Sequence, residues 1–382
     1  MTECLAGVAD ADAYARYSTN VMMICLNLIK KFSSSKNVTI FVNELHIYTF
    51  FMRRTRLSLL IVASLICSSA ISYGQQSIVD QINECGKFDS WSVREIEESA
   101  IIGGDTKYLY EFFGSPTDTL RTGKTPFEAP DGYLWRTNNV LAVVAGVVKT
   151  NNTIYPEKRG DGYCARIETH IEHVKALGVV NMDVTCQGVL LVGTLPEPIR
   201  DTKSPMTMVQ YGLPFKGRPV ALKLDYKADV GHETIRGTGF SRLKPLGYPD
   251  YAEMTVILQK RWEDSEGRIH ALRVGTCIER VTEDIPDWVN GHEMKIRYGD
   301  ITGEPFYEDY MGLKTDPETR YYARNSKGEN VVVEEDGWAD PGTEPDYLMI
   351  HFLSSCGKAF YGGVGNTLWV DNVHLVMTDE IN

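Results

Sequence analysis

Residues 220–226 read VALKLDY, which places Val220, Leu222, Leu224 and Tyr226 on one side of an extended chain and Ala221, Lys223 and Asp225 on the other. Side chains in a strand alternate with a period of two, so this pattern predicts a strand with one buried and one wetted face. Residues 254–258 (MTVIL), 347–353 (YLMIHFL) and 368–377 (LWVDNVHLVM) are apolar on both sides. That is the pattern of strands lying inside packed sheets. Turn chemistry bounds these runs: EDSEGR at 263–268, DPGTEPD at 340–346 and SSCGKAFYGGVGN at 354–366.

One stretch fits two periods. In CARIETHIEHVKALG (164–178), Ala165, Ile167, Thr169 and Ile171 alternate with Arg166, Glu168, His170 and Glu172, yet Ile167, Ile171 and Val174 also fall at helical spacing. The alternation favours a strand over Cys164–Thr169 followed by a less regular segment. Many short strands, regular turns and few helical patterns together predict an all-β chain, a jelly-roll-type β-sandwich of antiparallel strands.

In the last strand, unbroken alternation puts Leu368, Val370, Asn372, His374 and Val376 on one face and Trp369, Asp371, Val373, Leu375 and Met377 on the other. Asp371 is therefore expected among core residues. A buried carboxylate needs hydrogen-bond partners. The reading is of a structural acid, held by backbone N–H groups from the GGVGN turn.

With 382 residues and 43% hydrophobic content, the chain has material for a large core. Its formal net charge of -12 argues against nucleic acid, which requires clustered Lys and Arg. From Met52 the sequence runs MRRTRLSLLIVASLICSSAISYGQQ: three arginines, an apolar run, then small residues. This order is that of a secretory signal peptide over 52–74, cleaved before Gln75. The apolar run is shorter than the roughly 20 residues needed to span a bilayer. Lipid anchoring through Cys67 is the alternative, but Ile66 before it is bulky for a lipobox. Residues 1–51 are read as an upstream extension, with translation starting at Met52. Beyond the leader, residues 75–130 are expected to be N-terminal strands packing on a main sandwich at 131–382. The expected location is extracytoplasmic: periplasm, outer membrane surface or secreted.

The cysteines expected in the mature chain are Cys85, Cys164, Cys186, Cys277 and Cys356. Their number is odd and their spacing irregular, which fits neither a zinc pattern nor a disulfide framework. Small buried thiols are preferred over a single Cys164–Cys186 bridge.

Motifs of catalysis are missing. There is no G-x-S-x-G elbow, no phosphate-binding G-x-x-x-x-G-K-[ST] and no H-E-x-x-H helix. Glycosidases need only two acids at a set separation, and 51 Asp and Glu supply too many candidates for spacing to select. No catalytic residue and no cofactor is assigned. The run Glu334, Glu335, Asp336 is most simply a solvated loop; an acidic loop can also hold Ca²⁺ through oxygen ligands, but no EF-hand-like spacing places such a site.

Aromatic surface remains. Sugars stack their C–H faces on Trp and Tyr rings, and their hydroxyls need polar partners. Trp338, in EEDGWADPG, and Trp262, in QKRWEDSEG, lie in polar, turn-rich contexts, with Asp336 and Asp340 beside Trp338. These four are the candidate glycan-binding residues. Trp135 and Trp288 are read as packing residues, and Trp91 and Trp369 as core.

Several segments, in order, resemble the putative carbohydrate metabolism (PCMD) domain family: LPFKGRPVALKLDYKAD (213–229), MTVILQKRWEDSEGRIHALRVGT (254–276), DWVNGHEMKIRYGD (287–300) and YLMIHFLSSCGKAFYGGVGNTLWVDNVHLV (347–376). WSVREIEESAIIGGDTKYLYEF (91–112) and GYLWRTNNV (132–140) extend the resemblance upstream. It implies an extracytoplasmic sandwich shaped like a carbohydrate-binding module, and it brings no catalytic residues to transfer. The expected partner is a polysaccharide or oligosaccharide. A glycoside hydrolase or lyase using a carboxylate pair, and a structural or adhesive envelope protein, remain open alternatives.

Overall fold

The computed structural model describes residues 78–378 apart from 113–117, 122–126, 128–132, 145, 177–179 and 201–203. The expected extension, the signal peptide and Cys67 lie outside the described residues.

Two sheets form a sandwich. The first has five antiparallel strands in the order Ile285–Lys295, Pro219–Asp229, Thr367–Met377, Gly162–Glu168, Ile154–Arg159. The second has ten strands, with Tyr347–Leu353, Ala252–Glu263 and Ile269–Val281 at its centre. Between them lies the main core, built from alternate positions: Leu222, Leu224 and Tyr226 from one sheet meet Met254, Val256 and Leu258 from the other. The wetted side predicted for 220–226 is the outer face of the five-stranded sheet.

The ten-stranded sheet carries a second apolar cluster on its other face, including Ile257, Ile278, Val333 and Met349 beneath Tyr211 and Tyr321. This is why 254–258 and 347–353 read as apolar on both sides. The all-β sandwich expected from the turns and periodicities is what the chain forms. Its strands are not all antiparallel, however: Ile269–Val281 pairs in parallel with Asn330–Trp338. Between those two strands the chain crosses to the five-stranded sheet, as Ile285–Lys295, before it returns. A return by crossover, unlike a hairpin, permits parallel pairing.

The N-terminal part opens with a helix at 78–85, whose Val79 and Ile82 are buried in the main core. Phe88, Trp91, Phe112 and Trp135 close that end as a ring cluster, with centroids 4.1 to 5.4 Å apart. The helix also clamps the closing strand, because the Val373 N–H donates to the Gly86 carbonyl at 2.8 Å and the Leu375 N–H to Asn83 at 2.7 Å. A Cβ on Gly86 would stand 2.3 Å from the Val373 carbonyl oxygen. Only glycine permits this approach.

The closing strand departs from unbroken alternation. Asn372 has φ +50° and forms a β-bulge, marked by a register shift between Lys223 and Asp225 on the neighbouring strand. One inserted residue exchanges the faces on either side of it. Leu368, Val370, Val373 and Leu375 all enter the core. Asp371 therefore shares its side with Trp369, on the outer face, and not with the core residues.

Residues 164–178 also correct the expectation. After Gly162–Glu168 the chain does not become irregular but forms a second strand, His170–Ala176, paired with Val180–Cys186. The five described cysteines are free, and no Cys164–Cys186 bridge forms. Burial pushes both of those thiols up to about 12. They are inert at neutral pH.

The polar side of this segment forms an ionic row. His170 lies between Glu168 and Glu172, with nitrogen to oxygen distances of 3.6 and 3.5 Å, and Lys149 bridges Glu172 and Glu98. Burial alone would lower the His170 imidazole, but the two carboxylates outweigh it and raise the group to about 9. A folded value above the unfolded one gives a contribution complete below about pH 6.5 and lost as pH rises through about 9. Urea unfolding across that window should show stability falling in the natural chain. His170→Gln should flatten the decline.

Candidate functional site

The hairpin of Ala252–Glu263 and Ile269–Val281 contains the two longest strands of the molecule. Ala252, Met254, Val256 and Leu258 point into the main core. The same alternation carries Trp262 onto this side of the strand, but past the last core contact, and its side chain emerges 44% exposed. Asp264 shapes the turn that follows: its carboxylate accepts from the Glu266 and Arg268 N–H groups at 2.9 and 3.0 Å and pairs with the Arg268 guanidinium at 2.7 Å. These donors, the Arg268 N–H first among them, hold it well below the usual carboxylate range.

Across the hairpin from Trp262 is His270. Their rings stack at 5.4 Å with 13° between planes. The imidazole is fixed in turn by two acids, with Nδ1 2.9 Å from Asp336 and Nε2 3.4 Å from Asp264. Asp336 arrives from the parallel strand Asn330–Trp338, at a register shift after Glu335. Trp262 and Asp336, chosen separately from the sequence, thus meet through a histidine that the sequence did not single out. The only available signal was the pairing of residues either side of EDSEGR in a tight hairpin.

The other two candidates lie elsewhere. Trp338 is half-buried, with the Arg273 guanidinium 5.5 Å from its ring. Arg273 and Glu335 form an ion pair with no exposed side-chain surface, further bonded to Gln259 and the Lys314 N–H. Trp338 therefore caps a buried charge pair. Asp340 is exposed in the following turn, where its carbonyl accepts from the Thr343 N–H at 2.9 Å.

A second aromatic surface covers the outer face of the five-stranded sheet. Trp369 pairs across strands with Lys227 on one side and Arg166 on the other, and Arg166 pairs with Tyr155. Lys227 lies 4.3 Å from the Trp369 ring centre and 5.7 Å from Trp288, and Arg166 lies 4.7 Å from Tyr155. From the sequence Trp288 was expected as a packing residue and Trp369 in the core; both instead belong to this outer ladder, Trp369 because the bulge leaves it on the outer face. Each ring already carries a cation, and each cation a carboxylate: Glu157 is 3.7 Å from Lys227 and 3.6 Å from Arg166. The ladder is a coat over the sheet whose charges pair with one another, although Arg166 Nε and Trp369 Nε1 are buried without a hydrogen-bond partner.

Asp371 belongs to this coat. Arg159 bridges Asp371 and Asp225 at 2.5 and 2.8 Å, donates to Asn290 at 2.6 Å, and lies 3.9 Å over Trp288. Asp371 also accepts from the Asn372 N–H at 2.7 Å, while the Asn372 side chain donates to Asp225 at 2.8 Å. The partners are an arginine and the bulge itself, not the glycine-rich turn. Burial raises the Asp371 carboxyl, whereas Asp225, with Asn372, the Gly291 N–H and Arg159 outweighing burial, is lowered.

Among the described residues no group of three or more His, Cys, Asp or Glu is placed to hold a metal ion.

No family model matches the chain, and no curated protein matches it, so the PCMD resemblance stands on the quoted residues alone. Several solved structures are similar to it, three of which follow. One is a putative glycoside hydrolase from Bacteroides thetaiotaomicron, at 17% identity and TM-score 0.39, covering 75% of this chain and 70% of that one. Another is a putative glycoside hydrolase from Bacteroides vulgatus, at 15% identity and TM-score 0.41, covering 76% and 96%. The third is CBM28, a carbohydrate-binding module specific for non-crystalline cellulose, at 11% identity and TM-score 0.24, covering 67% and 94%.

Asp371→Ala should lower the unfolding free energy by about 1.5–3 kcal/mol, the range for hydrogen bonds to a charged group. Chemical denaturation of the purified chain measures it. Asp371→Asn, which keeps one acceptor, should lose less.

Proposed function

We propose that this chain is a non-catalytic glycan-binding protein that works outside the cytoplasm. The observation that carries the reading is the Trp262 ring, backed on one face by His270 and open to solvent, with the half-exposed Asp336 fixed beside it. An indole so supported loses little freedom when a pyranose stacks on it, because its orientation is already set by the imidazole and two acids. Asp336 and Asp264 supply acceptors for hydroxyl groups. The aromatic ladder of the other sheet is a poorer platform, since its rings are occupied by their own cations.

A binding role fits the acids better than a catalytic one. General acid catalysis at a glycosidic bond needs a carboxyl that keeps its proton near neutral pH. Asp264 is held in the opposite direction, and both acids are committed to the same imidazole. The extracytoplasmic setting rests on the leader sequence at 52–74.

Affinity electrophoresis of the chain from Gln75 onward through gels containing plant, fungal and bacterial polysaccharides tests this. At least one glycan should retard the protein. Trp262→Ala should weaken that retardation by about 1–3 kcal/mol, the scale of a lost aromatic anchor. Trp338→Ala should instead lower stability and leave binding intact. Release of reducing ends, abolished by Asp336→Asn, would replace the binding reading with a hydrolase.

A further inference from the structure

A cavity of about 870 Å³ lies apart from the Trp262 platform. Its walls come from the hairpin Val140–Val144 and Val147–Asn151, the hairpin His170–Ala176 and Val180–Cys186, the strand Val189–Thr194, and the short helix Pro205–Met208. Val147, Val174, Val184, Leu191 and Met206 are representative of its lining. Two of the large hydrophobic side chains that the protein leaves exposed, Ile101 at 42% and Phe240 at 72%, also line it. Exposed apolar residues scattered singly need no explanation, but two converging on one apolar cavity do.

Polar groups here are few. Lys149 and Glu172 form an ion pair in the lining. Asn151 is the exception: its Oδ1 is buried without a hydrogen-bond partner. A buried acceptor without a donor is costly, and a ligand that donates one hydrogen bond removes the cost.

We infer that this cavity binds a long-chain aliphatic compound whose head group donates a hydrogen bond, such as a fatty alcohol or a protonated fatty acid. The volume lies within the range of small-molecule sites, roughly 300–1,000 Å³, which are mostly apolar with a few placed polar groups. A sugar does not suit it. Pyranose hydroxyls would enter walls whose open surface is mostly apolar, and each unsatisfied hydroxyl opposes binding. The aliphatic chain meets the apolar walls, and its head group meets Asn151, whose amide turns its covered Oδ1 toward the cavity to accept the hydrogen bond. This inference is independent of the glycan-binding reading, because no residue of the Trp262 platform lines the cavity.

Competition against 1-anilinonaphthalene-8-sulfonate fluorescence tests it with the chain from Gln75 onward. Dodecanol should displace the dye, dodecanoic acid should do so at a pH low enough to keep its carboxyl protonated, and soluble oligosaccharides should not. Val174→Trp and Met206→Trp, which fill the cavity from positions that are only half-buried, should each weaken displacement by dodecanol about tenfold, the effect of overpacking by one side chain. Asn151→Leu should weaken dodecanol more than dodecane. Failure of both aliphatic compounds to displace the dye, displacement unchanged in both Trp variants, or equal displacement by oligosaccharides would each overturn the inference. Circular dichroism of the variants separates lost binding from lost folding: a Trp variant that unfolds is set aside, and the other decides.

Discussion

The Asn372 bulge is the constraint on which the five-stranded sheet depends. It sits on that sheet's central strand, and it decides which side chains of the strand face the core. Leu368 and Val370 before it, and Val373 and Leu375 after it, all reach the interior only because one residue is inserted between them. A positive φ at a residue other than glycine is unfavourable and must be held by its surroundings. Arg159, Asp225 and Asp371 do this from outside, and the Gly86 carbonyl does it by binding Val373 from the helix side. The outer polar cluster and the inner apolar packing are therefore one device.

The sequence was most legible where a strand kept its period. VALKLDY gave its core-facing side correctly in Leu222, Leu224 and Tyr226, but of the side expected to be wet only Lys223 is exposed, Ala221 and Asp225 being covered. Residues 254–258 and 347–353 do lie between two apolar clusters, whereas 368–377 has a core on one face only. It was least legible at irregularities. Nothing in LWVDNVHLVM announces a bulge, because Asn and Asp are common in turns and strands end with them often. Assuming strict alternation moved Asp371 indoors and hid Trp369 on the wrong face. Residues 164–178 failed differently, since a two-residue step between Glu168 and His170 separates two strands that belong to different sheets.

The aromatic surface shows a related division. Trp262 was legible as an exposed ring because it stands at a strand end beside a turn. Its partners were not, since His270 is recruited by cross-strand register and Asp336 by a pairing between distant strands. Trp338 looked equivalent from its polar neighbours, yet the turn around it folds back over Arg273 and Glu335. Composition around a tryptophan reports the solvent exposure of the loop, and the ring within that loop can still lie against a buried charge. Cationic neighbours then distinguish the remaining aromatics: rings already stacked with Lys or Arg serve the sheet, and the ring stacked with a histidine keeps one face open.

The way the platform is assembled bears on when it exists. Trp262 and His270 are joined by a tight turn and can meet as soon as that hairpin forms, a step of microseconds for an isolated hairpin. Asp336 joins His270 from 66 residues further along the chain. Its strand pairs in parallel with the hairpin, so it docks only after the intervening segment has crossed to the opposite sheet and returned. Non-local, parallel pairings of this kind are slow to form because loop closure precedes any gain from contact. The stacked rings are thus an early local element, whereas the acid that fixes them is among the later arrivals. A chain part-way through folding brings the two rings together before the carboxylate beside them is in place.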